Sequence, residues 1–180
     1  MEARDNTESK LDKLSIIIDS DRNCHAVVLC GISGSGKTYF SEKLKKRGWV
    51  RISIDHIIND LYGNAFHSFT ESRQKELTEE AEKEMGRRMT ELIITGKRVV
   101  VDSCMCKKSK RDLIRNILSE KGIDPTLIHL KASFKESLHR INKRNGLDPD
   151  HIPVTEEMLK QFFANFQEPE IDEMALTIET

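Results

Sequence analysis

Three observations predict an α/β fold in which helices cover both faces of a parallel sheet. Short apolar runs alternate with longer amphipathic stretches along the whole chain. The clearest of these runs, AVVLC at 26–30 and RVVV at 98–101, are continuous rather than alternating, as in strands buried on both faces. The 180 residues suffice for one domain that buries roughly 70% of its unfolded surface. Sheets of this kind place ligands at the carboxyl ends of their strands, so each candidate residue should sit just after a strand.

The elements follow in order. Residues 1–10 are polar and expected to fray, and LDKLSIIID after them has the spacing of a short amphipathic helix packed on the body. Residues 1–24 thus read as an N-terminal extension to a domain over 25–180. A first strand is expected at 25–30, a helix at 37–47 and a second strand, WVRISI, at 49–54. The long helix at 70–95 is set by Leu77, Ala81, Met85, Met89, Leu92 and Ile93 at steps of three and four, with Gly96 as its stop. A third strand at 98–101 leads to a helix at 109–120 closed by Lys121-Gly122, and PTLIHL at 125–130 forms a fourth strand. A helix at 134–144 runs into the polar, proline-containing NGLDPDHIPV. A last helix at 155–166 carries Glu156 and Lys160 as an i,i+4 pair, and ALTIE at 175–179 alternates like a final strand.

Composition narrows the function classes. With 29 Lys plus Arg against 30 Asp plus Glu, the formal charge of -1 excludes coating of nucleic acid by bulk electrostatics. Any polynucleotide contact then requires a local basic groove. No apolar run reaches membrane-spanning length, and MEARDNTESK lacks the apolar core of a secretory signal, so a cytoplasmic protein is expected. Cys24, Cys30, Cys104 and Cys106 form no C-x-x-C and no zinc spacing, and are read as reduced thiols. Cys30 lies in an apolar run, whereas Cys104 and Cys106 follow a strand and have redox sensitivity as an alternative.

The chemistry begins at Gly31-Ile32-Ser33-Gly34-Ser35-Gly36-Lys37-Thr38, a full G-x-x-x-x-G-K-[ST] pattern between a predicted strand and a predicted helix. Its glycines let successive N–H groups point at phosphate oxygens, and the helix N-terminus adds partial positive charge. Lys37 suits the β- and γ-phosphates, and the Thr38 hydroxyl suits Mg²⁺. Gly31, Ser33, Gly34, Ser35, Gly36, Lys37, Thr38 and the following Tyr39 are the expected nucleotide contacts. The chain has no guanine-reading N-K-x-D, which speaks against a GTPase. Thus the fold class sharpens to a P-loop NTPase-type sheet with a small lid.

A small kinase needs a base for the acceptor, a carboxylate near the metal and cations over the transferring group. Asp55, at the end of ISID, is the candidate base, with helix capping as the bland alternative. Asp102, at the end of VVVD, is placed to orient water ligands of Mg²⁺. Arg140 and Arg144, four apart on one helix, lead into a lid at about 140–155. Lys107, Lys108, Lys110 and Arg111 form a basic cluster after Asp102, suited to acceptor phosphates or simply exposed at a helix start. Positive charge there opposes the helix dipole.

These pieces resemble the 5′-hydroxyl polynucleotide kinases, within the wider group of P-loop kinases that includes zeta-toxin-like and AAA_33-type proteins. The resemblance spans roughly 26–174 and rests on GISGSGKTYF, GWVRISID, GKRVVVDS with Arg111 beyond it, and HIPVTEEMLKQFFANFQEPEIDE. It implies Asp55 as general base, Lys37 and Thr38 as phosphate and metal residues, Arg144 as lid arginine, and Phe166, Glu168 and Pro169 as the wall of an adenine pocket. Many relatives carry an arginine three residues after the base to grip acceptor phosphate; here that residue is Ile58. The expected activity is ATP- and Mg²⁺-dependent transfer of the γ-phosphate to a hydroxyl, first of all the 5′-OH of DNA or RNA. A small-molecule acceptor such as a sugar, nucleoside or antibiotic is the first alternative, and a catalytically silent ATP-binding module the second.

Overall fold

A computed structural model describes residues 2–144 and 154–180 of the chain. Five parallel strands form one sheet in the order β2-β3-β1-β4-β5. They are β1 (Ala26–Cys30), β2 (Val50–Ser53), β3 (Val99–Asp102), β4 (Thr126–Lys131) and β5 (Leu176–Glu179). The helices are α1 (Glu2–Ser20), α2 (Lys37–Lys45), α3 (Ile54–Tyr62), α4 (Glu71–Ile94), α5 (Lys108–Ser119), α6 (Phe134–Arg144) and α7 (Glu156–Asn165). Strand β1 sits between β3 and β4, with Leu29 level with Asp102 and Ile128, so the loop after β1 emerges at the middle of the sheet edge.

The pleat sorts the two faces. Val28, Cys30, Ile52, Val99 and Val101 pack against Ile57 of α3, Ala81, Met85 and Met89 of α4, and Ile114 and Leu118 of α5. Val27, Leu29, Val100, Ile128 and Leu130 face the other way, onto Phe40 and Leu44 of α2 and Leu11 and Ile18 of α1. Both faces are therefore apolar, which is why the strand sequences read as continuous runs. A third cluster joins Ile32 of the loop after β1 to Ile141 of α6 and Leu159 of α7.

Two expectations are corrected here, and a third lies largely outside the described residues. Residues 2–10 are helical and continue into the predicted amphipathic segment as α1, which docks on α2. Arg98 ties its end down by donating to the carbonyls of Ile18, Asp19, Asp21 and Cys24, while its guanidinium lies 4.0 Å over the Trp49 ring. Strand β2 stops at Ser53, and Ile54 already belongs to α3. Asp55 thus stands in the first turn of a helix, where its negative charge matches the dipole, and Ser53 is the cap. Finally, the predicted lid at 140–155 falls in large part on 145–153, outside the described residues.

Candidate active site

The loop 31–36 curls tightly because glycine occupies its left-handed positions. Gly31 has φ +145°, and a Cβ there would lie 2.4 Å from the Leu130 carbonyl oxygen and 2.7 Å from Ser35 Oγ. At Gly34, φ +85°, a Cβ would meet the Ser137 carbonyl at 2.8 Å. No other residue fits either place. The loop then feeds α2, whose first turn opens onto the same space.

Lys37 folds over this loop, donating to the carbonyls of Gly31 at 2.7 Å and Ile32 at 3.0 Å. Desolvation lowers its pKa from the ordinary lysine value to about 8, against the opposing fields of Asp102, Cys30 and Asp55, and with help from Arg144. Arg144, at the end of α6, stands with Nη2 3.5 Å from Ser33 Oγ. Asp55 and Arg144 thus both lie near enough to act on the charge of Lys37, and Asp55 is exposed. Thr38 is exposed beside them.

Asp102 is nearly buried, 6% exposed, and its Oδ2 accepts from Ser41 Oγ at 2.9 Å and from Arg51 Nε at 2.9 Å and Nη2 at 2.6 Å. Among the described residues Oδ1 accepts no hydrogen bond, so one carboxylate oxygen is left without a protein partner. The donor set fits Mg²⁺, which keeps most of its waters and leans on one or two protein oxygens plus substrate phosphates. No group of three or more His, Cys, Asp or Glu among the described residues makes a metal cage.

Several expected contacts are placed elsewhere. Tyr39 turns toward α1, with its hydroxyl 3.4 Å from Asp12 and Lys43 4.8 Å over its ring, because the helix period carries it away from the loop. Arg140 braces the loop rather than reaching over it: Nη1 donates to the Gly34 carbonyl at 3.1 Å and to Thr180, and Nε to Glu136. The basic cluster after Asp102 is largely neutralised internally. Lys108 pairs with Asp172 at 2.9 Å and with Asp112, Lys110 pairs with Glu82, and Arg111 is wholly buried against Glu173. Of the four, Lys107 alone has no ion pair among the described residues and stays exposed. Cys104 and Cys106 are joined in a disulfide instead of standing as free thiols, since Met105 between them, at φ +47°, reverses the chain and brings their Cα atoms to 5.3 Å. Cys24 and Cys30 are free and buried, and burial pushes the Cys30 thiol up to about 12, so it is inert.

A cavity of about 100 Å³ opens at the end of β4, lined by Ile32, His129, Lys131, Phe163, Phe166 and Glu168 among others. His129 stacks on Phe166 with centroids 5.4 Å apart, and burial depresses its pKa, so the ring is neutral at pH 7. Glu168 pairs with Lys131 at 2.7 Å, which holds its carboxyl below the ordinary value. Pro169 does not line the cavity, although it directly follows Glu168 of its wall. Phe166 and Glu168 thus share one cavity with Ile32 of the phosphate loop. Arg51 and Glu173 escaped the sequence reading, although an arginine on the inward side of a strand was a visible signal for the first.

A parallel sheet with a glycine-rich phosphate loop between its central strand and the following helix defines a P-loop protein with the fold of small kinases. Residues 27–169 match the AAA domain family AAA_33, and the chain belongs to that family. Its fold is similar to that of a gluconokinase from Sinorhizobium meliloti 1021, at 20% identity over 88% of this chain and 84% of that one, with a TM-score of 0.63. It is also similar to shikimate kinase from Acinetobacter baumannii in complex with shikimate, at 20% identity, 92% and 87% coverage and TM-score 0.59. A third likeness is to Mycobacterium tuberculosis APS kinase CysC in complex with AMPPNP and APS, at 20% identity, 88% and 90% coverage and TM-score 0.60. No curated protein sequence matches. Among the described residues no helix is long and apolar enough to cross a membrane.

Proposed function

We propose that this chain is an ATP-dependent phosphotransferase that moves the γ-phosphate onto a hydroxyl of a small molecule. The observation that carries the choice of acceptor is the pairing of Lys108, Lys110 and Arg111 with Asp172, Glu82 and Glu173. A nucleic-acid end binds chiefly through cations facing its phosphates, and three of the four candidate cations already face carboxylates of the protein. Ile58 supplies no charge in their place. A compact polyhydroxy or carboxylated acceptor needs a base and a shaped site instead of a basic track. The kinship of fold with a gluconokinase and with shikimate kinase supports the same choice.

In this reading the triphosphate lies on the amides of 31–36 and displaces Lys37 from its carbonyls. Asp55 accepts the proton of the acceptor hydroxyl as that oxygen forms its bond to the γ-phosphorus and the bond to the β,γ-bridging oxygen breaks, releasing ADP. Lys37 and Arg144 balance the charge on the transferring oxygens. Thr38 and Oδ1 of Asp102 would hold Mg²⁺, which when bound neutralises the β- and γ-oxygens. Phe166 and Glu168 would flank the base.

The test offers labelled ATP together with sugars, polyols, nucleosides and hydroxy acids in one arm and 5′-OH oligonucleotides in the other. Label on a small molecule is expected; label on oligonucleotides alone would favour the end-directed kinase reading, and label on neither, with tight ATP binding, a silent module. Asp55→Asn is expected to slow transfer at least a hundredfold, the size of a lost general base, with ATP affinity kept within about twofold. Transfer by Asp55→Asn at the parental rate would sink the role given to Asp55.

A further inference from the structure

Arg111 was expected to meet acceptor phosphate, yet it is 0% exposed and points into the protein. It occupies the first position of the buried stripe Arg111, Ile114, Leu118 of α5, where an apolar residue is the usual occupant. All five of its guanidinium N–H groups are directed at acceptors. Nε donates to Glu173 Oε1 at 2.5 Å and Nη2 to Glu173 Oε2 at 2.8 Å. Nη1 donates to the carbonyls of Met105 and Gln167, each at 2.9 Å, and Nη2 also reaches the Glu168 carbonyl at 3.5 Å. Lysine has three donors on a point charge and lacks this fork, so no other side chain meets the set.

The acceptors come from two segments. Met105 belongs to the turn after β3, and residues 167–173 follow α7. Around the guanidinium the same segments are stitched again, by Gln167 N–H to the Cys106 carbonyl at 2.8 Å and Lys108 N–H to Gln167 Oε1 at 2.8 Å. The turn after β3 in turn accepts the N–H of Gly31 at the Cys104 carbonyl, 3.2 Å away. A continuous chain of contacts therefore runs from the first residue of the phosphate loop, through the turn and Arg111, to the cavity wall at Phe166 and Glu168.

We infer that Arg111 is a positioning residue for the donor nucleotide, setting the distance between the phosphate cradle and the wall against which the base lies. This rests on the cavity at the end of β4 being the nucleobase site. A nucleoside triphosphate touches cradle and wall at once, so it registers any shift between them. Inorganic tripolyphosphate touches the cradle alone and does not.

The experiment measures binding of a non-hydrolysable ATP analogue and of tripolyphosphate, both with Mg²⁺, to the full chain and to variants whose folding is checked by circular dichroism. Arg111→Lys, which loses at least two of five hydrogen bonds, is expected to weaken the ATP analogue about tenfold and leave tripolyphosphate within about twofold. Glu173→Gln keeps the carbonyl bonds but removes the opposing charge and one arm of the fork, because its amide nitrogen cannot accept from the guanidinium; a smaller loss of the same selectivity is expected, and this variant carries the test if Arg111→Lys does not fold. Phe166→Ala separates the two ideas. If Phe166→Ala leaves the ratio of the two affinities unchanged, the nucleobase reading of the cavity fails. If Phe166→Ala collapses the ratio while the folded Arg111 and Glu173 variants preserve it, or lose both ligands equally, the positioning role of Arg111 is overturned.

Discussion

Raising the pH from 7 to 9 tests the reading of the phosphate loop through Lys37. Burial beside the loop lowers the pKa of this lysine from 10.5 to about 8, because the ammonium loses water that the carbonyls of Gly31 and Ile32 only partly replace. The sign follows directly. Below the folded pKa the group is charged and ready for a phosphate; above it the free protein must first take up a proton. At pH 7 about nine in ten molecules carry the charge and at pH 9 about one in eleven, so the affinity for ATP should fall about tenfold between them. Once the phosphates are bound, two or three anionic oxygens beside the ammonium keep Lys37 protonated at pH 9. Calorimetric titration of a non-hydrolysable ATP analogue at pH 7, 8 and 9, repeated in buffers of different ionisation enthalpy, measures both the affinity and the protons taken up. Near one proton bound per ATP at pH 9 is expected. Constant affinity with no proton uptake would show that Lys37 of the free protein is still charged at pH 9.

Arg51→Met leaves the nearly buried Asp102 carboxylate without its two guanidinium bonds, and an uncompensated buried charge predicts a loss of about 3 kcal/mol, read by urea denaturation at pH 7. A change below about 0.5 kcal/mol would mean that Asp102 is satisfied by Ser41 and solvent alone. The pairing of Cys104 with Cys106 predicts two titratable thiols per chain after denaturation without reductant, from Cys24 and Cys30, and four after reduction. Four thiols in unreduced protein would contradict the pairing.

Periodicity and turn chemistry made most of the fold legible. The helix expected at 70–95 lies within one residue of α4 at each end, since its apolar positions repeat over about five turns and Thr70 and Gly96 delimit it. The phosphate loop was equally legible, because its backbone path admits only glycine at Gly31 and Gly34. Helix α3 is legible only as the capping alternative at Asp55, two residues past its cap at Ser53. Ile54 extends the alternation of WVRISI by one more apolar residue, so the strand reading ran through the cap at Ser53 and no turn residue announced the change. Likewise, residues 1–10 show no apolar stripe of their own; their helix continues a segment held by Leu11, Ile18 and the Arg98 cap.

Charge partners were the part that spacing could not supply. Lys107, Lys108, Lys110 and Arg111 look alike along the chain, yet one remains exposed, two are paired at the surface and one is buried in a five-donor hub. Their fates depend on Glu82, Asp172 and Glu173, which lie 28 to 64 residues away. Apolar period and local backbone geometry carry the parallel sheet and the glycine cradle, and they put Lys37 and Thr38 at the start of α2, Asp55 just after β2 and Asp102 at the end of β3. Folding, in contrast, sets the pairing of Lys108, Lys110 and Arg111 with carboxylates, the hold of Arg51 on Asp102 and the span of Arg111 from the β3 turn to the cavity wall. Electrostatic pairing depends on distance in space, and only the folded chain sets which charges meet.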